Sequence, residues 1–115
     1  MNREIQEFKA GFFKALSHPL RIHILEILCE GEKNVNELQQ LCGMEGAVIS
    51  QQLAILRNKN IVKTSKEGTR VLYSLQDPMI RELLATARQI FNNHLVHTIH
   101  KLGRFHEESK DDSPK

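Results

Sequence analysis

Two cysteines and six histidines are the side chains in this sequence best suited to hold a metal or attack a substrate. Cys29 and Cys42 each fall at the end of an expected helix, next to the breaks marked by Gly31 and Gly43. A thiol there serves as a small hydrophobe or as a switch, since oxidation or persulfidation would tilt the elements it joins. The second role needs an exposed thiol of lowered pKa, and the negative end of a helix works against a thiolate. His94, His97 and His100 recur every third residue along an expected helix. Steps of 300° spread them over about 120° of arc, so neighbouring pairs can share a metal while all three strain to do so. The favoured reading is a polar strip at the end of a dimer helix, and a complete site would need a carboxylate or histidine from another subunit. His18, beside Pro19, reads as part of a helix start, and His23 as a surface or boundary residue. There is no phosphate-binding glycine loop and no zinc-protease helix motif. No serine, cysteine and histidine are spaced as a nucleophile with its base, so a binding protein is expected rather than an enzyme.

The richer chemistry lies in hydrogen-bonding groups along residues 45–58, which the apolar spacing predicts to be a helix. At 100° per residue, Ile49, Leu53 and Leu56 share one side, while Ala47, Ser50, Gln51, Ala54 and Asn58 share the other. Solvated faces usually carry Lys and Glu, but the centre of this one has neither. Its short polar groups suit entry into a major groove, with a glutamine able to pair with adenine and alanine methyls able to meet thymine methyls. Gln52 joins these candidate DNA contacts. Arg57 and Lys59 at the helix end, and Lys63, Lys66 and Arg70 beyond it, are placed to meet phosphates.

The elements needed to position that face are legible around it. Residues 3–16 carry Ile5, Phe8, Phe12 and Leu16 at helical spacing, and a second helix over about 19–30 is apolar nearly all round. A third is expected over about 36–42, capped by Asn34 or Asn36 and ended by Gly43. With the fourth, over about 45–58, it forms a helix-turn-helix. After Asn60 the period changes: residues 61–66 and 69–74 read as strands around a turn at Glu67-Gly68, a small wing. Asp77 caps a last helix opening at Pro78 and reaching about 102, with Ile80, Leu83, Leu84, Ala87, Ile90, Phe91 and Leu95 along one stripe. The fold class is therefore mainly α with a β-wing, in the order α-α-α-α-β-β-α. Residues 1–105 form one domain, and 106–115 a charged tail expected to be disordered.

Three stretches, ALSHPLRIHILEIL, ISQQLAILRNKNIV and KEGTRVLYSL, resemble the signature segments of the ArsR/SmtB family of winged-helix repressors. The resemblance covers about residues 8–95. It implies a homodimer made by the first and last helices and operator DNA released on sensing an inducer. Metal-sensing members carry Cys-x-Cys at the start of the third helix, where this chain has Asn34-Val35-Asn36. Neutral amides are poor ligands for soft metals. Other members place Asp-x-His at the start of the last helix and His-x-x-His further along. Here Met79 follows Asp77 at the partner position, and the later pair falls near Ile90 and Asn93. No metal is expected at the family sites. The thiol pair stands ahead of His94, His97 and His100 as sensor because both sulfurs adjoin the DNA-reading elements, and no cofactor is required.

Composition agrees with this. An aromatic content of 5% leaves the core to Leu, Ile and Val, and a short chain of that kind gains burial by dimerising. Net charge is +2, but residues 106–115 hold four acids and two lysines, which leaves a mildly basic body suited to an anionic partner. The residues after Met1 show no secretory segment and no apolar run suits a bilayer, so the cytoplasm is the expected location. The competing reading is a protein-interaction module or anti-repressor on the same fold that has lost DNA binding, which the intact polar face of the fourth helix argues against.

Overall fold

The computed structural model describes residues 1–112, with side chains described through Gly103. The order is α1 (Arg3–Leu16), α2 (Pro19–Leu28), α3 (Val35–Cys42), α4 (Gly46–Asn58), β1 (Val62–Glu67), β2 (Arg70–Leu75) and α5 (Met79–Asp112), the expected succession of helices and wing. The chain divides into two units, Met1–Arg81 and the remainder of α5.

Helices α1, α2, α3 and α5 begin where a side chain answers an orphan amide, whereas α4 starts at Glu45 with no side-chain cap. The Leu20 N–H donates to Nδ1 of His18 at 3.2 Å, with Pro19 at the first helical position, so His18 is the cap of α2. At α3 the Glu37 N–H donates to Asn34 Oδ1 at 2.8 Å and the Asn34 N–H donates to Glu37 Oε1 at 3.1 Å. This reciprocal capping box selects Asn34 over Asn36. Gly43, at φ 65°, closes α3 in the left-handed region while its N–H donates to the Gln39 carbonyl. Only Met44 and Glu45 then separate it from α4, so the two helices meet through a short turn.

The core of the first unit sits around α2. Ile24, Leu25 and Leu28 of α2, Leu38 of α3, Ile49, Leu53 and Leu56 of α4, and Ile61 and Val62 at the wing's root are all fully buried. The wing is an antiparallel pair in which Val62 faces Leu75 and Glu67 faces Arg70. Its turn is therefore Gly68-Thr69, one residue later than the spacing predicted. A two-residue hairpin loop wants positive φ at its first central position, and Gly68 supplies it at φ 66°. Lys33 adds a short bridge to β2: its N–H donates to the Tyr73 carbonyl at 3.0 Å, and the Tyr73 N–H donates to the Lys33 carbonyl at 2.8 Å. No periodic spacing around Lys33 signals this pairing.

Two expectations about the last helix change. Asp77 caps it as expected, its Oδ1 accepting from the Met79 N–H at 2.9 Å. Gly103, however, does not stop it. The helix continues past it to Asp112, and the glycine is not among those with positive φ, the left-handed turn by which glycine commonly ends a helix. The tail assigned to 106–115 therefore begins inside α5, and residues 113–115 lie outside the described residues.

Candidate nucleic-acid interface

Helix α4 is anchored by three side chains and open on the opposite side. Ile49, Leu53 and Leu56 are wholly buried, while Ala47, Ser50, Gln51, Ala54 and Asn58 are exposed, which is the division the helical period predicts. The packing of α4 on α2, α3 and β1 holds the outer face at a set angle beside the wing. Between helix and wing runs an open groove of about 510 Å³, lined by Ser50, Leu53, Ala54, Arg57, Asn58, Asn60 and Tyr73.

Asn60 and Tyr73 were missed by sequence reasoning. Asn60 adopts φ 57°, a left-handed conformation that Asn tolerates better than most residues. Its N–H donates to the Arg57 carbonyl at 3.0 Å as the chain turns out of α4. The Lys-Asn sequence after an apolar period was the available signal. Tyr73 had none, because it reaches the groove only through the pairing of β2 with β1 and with Lys33.

The remaining candidates divide. Arg57, Lys63 and Lys66 are exposed. Arg70 is also exposed, with Nη2 3.7 Å from Glu37 Oε1. An exposed pair at that distance contributes little, so Arg70 stays open to exchange its partner for a phosphate. Gln52 is half-buried and its Oε1 accepts from Arg21 Nη1 at 2.9 Å, apart from the exposed set. Lys59 reaches toward α1, its Nζ 3.6 Å from where a Cβ on Gly11 would lie.

Cys29 and Cys42 are both half-buried and form no disulfide. Burial pushes the Cys42 thiol above its ordinary range, which lowers its thiolate fraction at neutral pH. The Cys29 carbonyl accepts from Arg81 Nε at 2.8 Å, tying the end of α2 to the first turn of α5. His94, His97 and His100 are exposed on α5. Among the described residues no three His, Cys, Asp or Glu side chains gather where a metal would need them. The thiolate-site position is unsuitable on chemistry as well, since Asn34 is held in the capping box. A resident metal therefore does not fit the family's usual position here.

Residues 18–64 match the family described as "Bacterial regulatory protein, arsR family". The chain is 44% identical over 87 residues to an uncharacterized HTH-type transcriptional regulator of Mycobacterium tuberculosis, covering 75% of this chain and 76% of that one. It is 36% identical over 95 residues to the biofilm growth-associated repressor of Xylella fastidiosa, covering 79% and 83%. Its fold is similar to the solution structure of a homodimeric winged helix-turn-helix DNA-binding domain from Mycobacterium bovis. That likeness has a TM-score of 0.77 at 29% identity, over 82% of this chain and 87% of that domain.

Proposed function

This chain belongs to the arsR family of bacterial regulatory proteins, and on that premise we propose that it is a cytoplasmic homodimeric repressor that reads operator DNA with α4 and grips it with the wing. The observation that carries the reading is the outer face of α4, where Ala47, Ser50, Gln51, Ala54 and Asn58 are exposed beside a groove shared with the wing. Ser50 and Gln51 face base edges. Arg57, Lys63, Lys66 and Arg70 supply phosphate contacts, which position the protein without reading sequence. Residues 1–105 act as one DNA-binding and dimerisation domain. The Xylella relative is named a repressor and the M. bovis domain is homodimeric. The exposed apolar residues of α1 and α5 suit the same assembly.

Operator binding by fluorescence anisotropy tests this reading. Gln51→Ala is expected to lose roughly 1–3 kcal/mol on the preferred site and to flatten preference among bases. Lys66→Ala should weaken all sequences alike and reduce the salt slope by about one. Unchanged base preference in Gln51→Ala would overturn the assignment of α4. For the releasing signal, the thiols of Cys29 and Cys42 stand ahead of the histidines, and Cys42 closes the helix that leads into the reading turn. Release by peroxide or polysulfide that disappears in Cys42→Ser supports this. Release by zinc, nickel or copper that disappears in His97→Ala reverses the order.

A further inference from the structure

Arg21 stands half-buried in the first turn of α2, and its guanidinium bonds to two other helices. Nε donates to the Ala15 carbonyl at 2.6 Å, and Nη1 donates to Gln52 Oε1 at 2.9 Å. Ala15 belongs to the last turn of α1, whose carbonyls have no amide ahead of them to accept from. The Lys14 carbonyl is met by the Ser17 N–H at 3.1 Å and the Ser17 hydroxyl at 2.7 Å. The Ala15 carbonyl is met by Arg21. A charged donor at the negative end of a helix makes a short, strong bond. Arginine has no acceptor, so the oxygen end of the Gln52 amide must face it. One guanidinium therefore ties the end of α1 to the middle of α4.

A second contact joins the same two helices. Lys59, which closes α4, extends its Nζ to within 3.6 Å of the Cβ position of Gly11. The cavity of about 140 Å³ at this junction is lined by Glu7, Phe8, Gly11 and Phe12 of α1 together with Asn58 and Lys59. Helix α1 thus meets the reading helix at two points while leaving Ile5, Phe8 and Phe13 largely exposed.

We propose that Arg21 is a positioning residue that fixes the reading helix against α1, and that Gln52 is its strut inside the protein rather than a DNA contact. This rests on the reading of α4 as the DNA-reading helix and of α1 as a subunit contact. A shift of α1 against the partner subunit is then carried through Arg21 to α4, so the same guanidinium sets the separation of the two reading helices. Gln51, the neighbour of the strut, keeps its outward direction because Gln52 is held from behind.

The test compares wild type with Arg21→Met, Arg21→Lys and Gln52→Glu. Anisotropy is measured on operators carrying single-base changes and on operators whose half-sites are moved by one base pair. Amide exchange is followed in α1 and α4. Arg21→Met, which removes both bonds, is expected to weaken every sequence by about tenfold, because only part of their free energy bears on the placement of α4. Base preference and salt slope should stay unchanged, discrimination among half-site spacings should flatten, and exchange at the end of α1 and in α4 should quicken. Arg21→Lys, which keeps the charge but not the two-ended fork, should fall between. Gln52→Glu keeps an acceptor for Arg21 and should bind within about threefold of wild type with spacing discrimination intact. A glutamine touching DNA would lose far more when converted to an anion against the phosphate field. A salt slope reduced by about one in Arg21→Met would make Arg21 a phosphate contact and overturn the proposal. Altered base preference in Gln52→Glu, or unchanged exchange in α4 of Arg21→Met, would do the same. Should Arg21→Met not fold, Gln52→Leu removes the α4 acceptor while leaving the Arg21–Ala15 bond. It carries the same expectations for affinity, half-site spacing and exchange in α4, but not for exchange at the end of α1. If wild type binds no operator, the DNA reading fails by itself, and the exchange comparison still decides whether Arg21 holds α4.

Discussion

The reading head and the two long helices use apolar residues in opposite ways. In the head, the large aliphatic side chains that face inward from α2, α3 and α4 (Ile24, Leu25, Leu28, Leu38, Ile49, Leu53 and Leu56) are fully buried within a single chain. Along α1 and α5 they remain open: Phe8 is 71% exposed, Phe91 65% and Leu95 55%, although the helical spacing of both stripes is as regular as that of α4. Regular apolar spacing therefore says that a face will be covered, not which molecule covers it. The head is complete in one copy. The stripes suit a second copy, so under the proposed function that division would separate the part that reads from the part that pairs.

Three substitutions and one alkylation measurement test this contrast. Leu53→Ala opens a cavity in the head and should cost roughly 2–5 kcal/mol, seen as a drop in denaturant midpoint below wild type that is the same at every protein concentration, although the midpoints of a dimer themselves rise with concentration. A concentration-dependent midpoint shift would mean that the head is not self-sufficient. Phe91→Asp should leave the head folded by circular dichroism and halve the mass in light scattering from twice 13.2 kDa. Losing the linked second half-site should lower operator affinity by roughly a hundredfold. A variant that stays dimeric would remove Phe91 from the subunit contact. Gly43→Ala should destabilise by about 1 kcal/mol, because a Cβ is strained at φ 65° although nothing lies within 4 Å of it. Chemical denaturation measures this, and a loss near zero would show that the reading turn relaxes freely. The smallest effect concerns Cys42. With its pKa raised by burial, the thiol is more fully protonated at neutral pH than an unperturbed cysteine. Its alkylation rate should be slow at pH 7 and rise as the solution becomes alkaline, past the ordinary 9.0. Fast alkylation at pH 7 would mark it as an activated thiol and strengthen its case as the sensor.

Local patterning and tertiary structure contributed different things to this protein. The order of elements, the helix start at His18-Pro19, the capping role of Asp77, the end of α3 at Gly43 and the two faces of α4 were legible in the sequence. Each depends on residues within a turn or two of one another, where spacing, caps and φ preference act directly. Only the tertiary structure placed the wing turn one residue later, because strand register follows pairing across the hairpin rather than composition at its tip. It also brought Lys33 to Tyr73 and Arg21 to both Ala15 and Gln52. The helical period puts Gln52 beside Gln51 as one more polar residue of α4. Its direction is set by a guanidinium from another helix, and a contact between residues 31 positions apart leaves no mark in either local sequence.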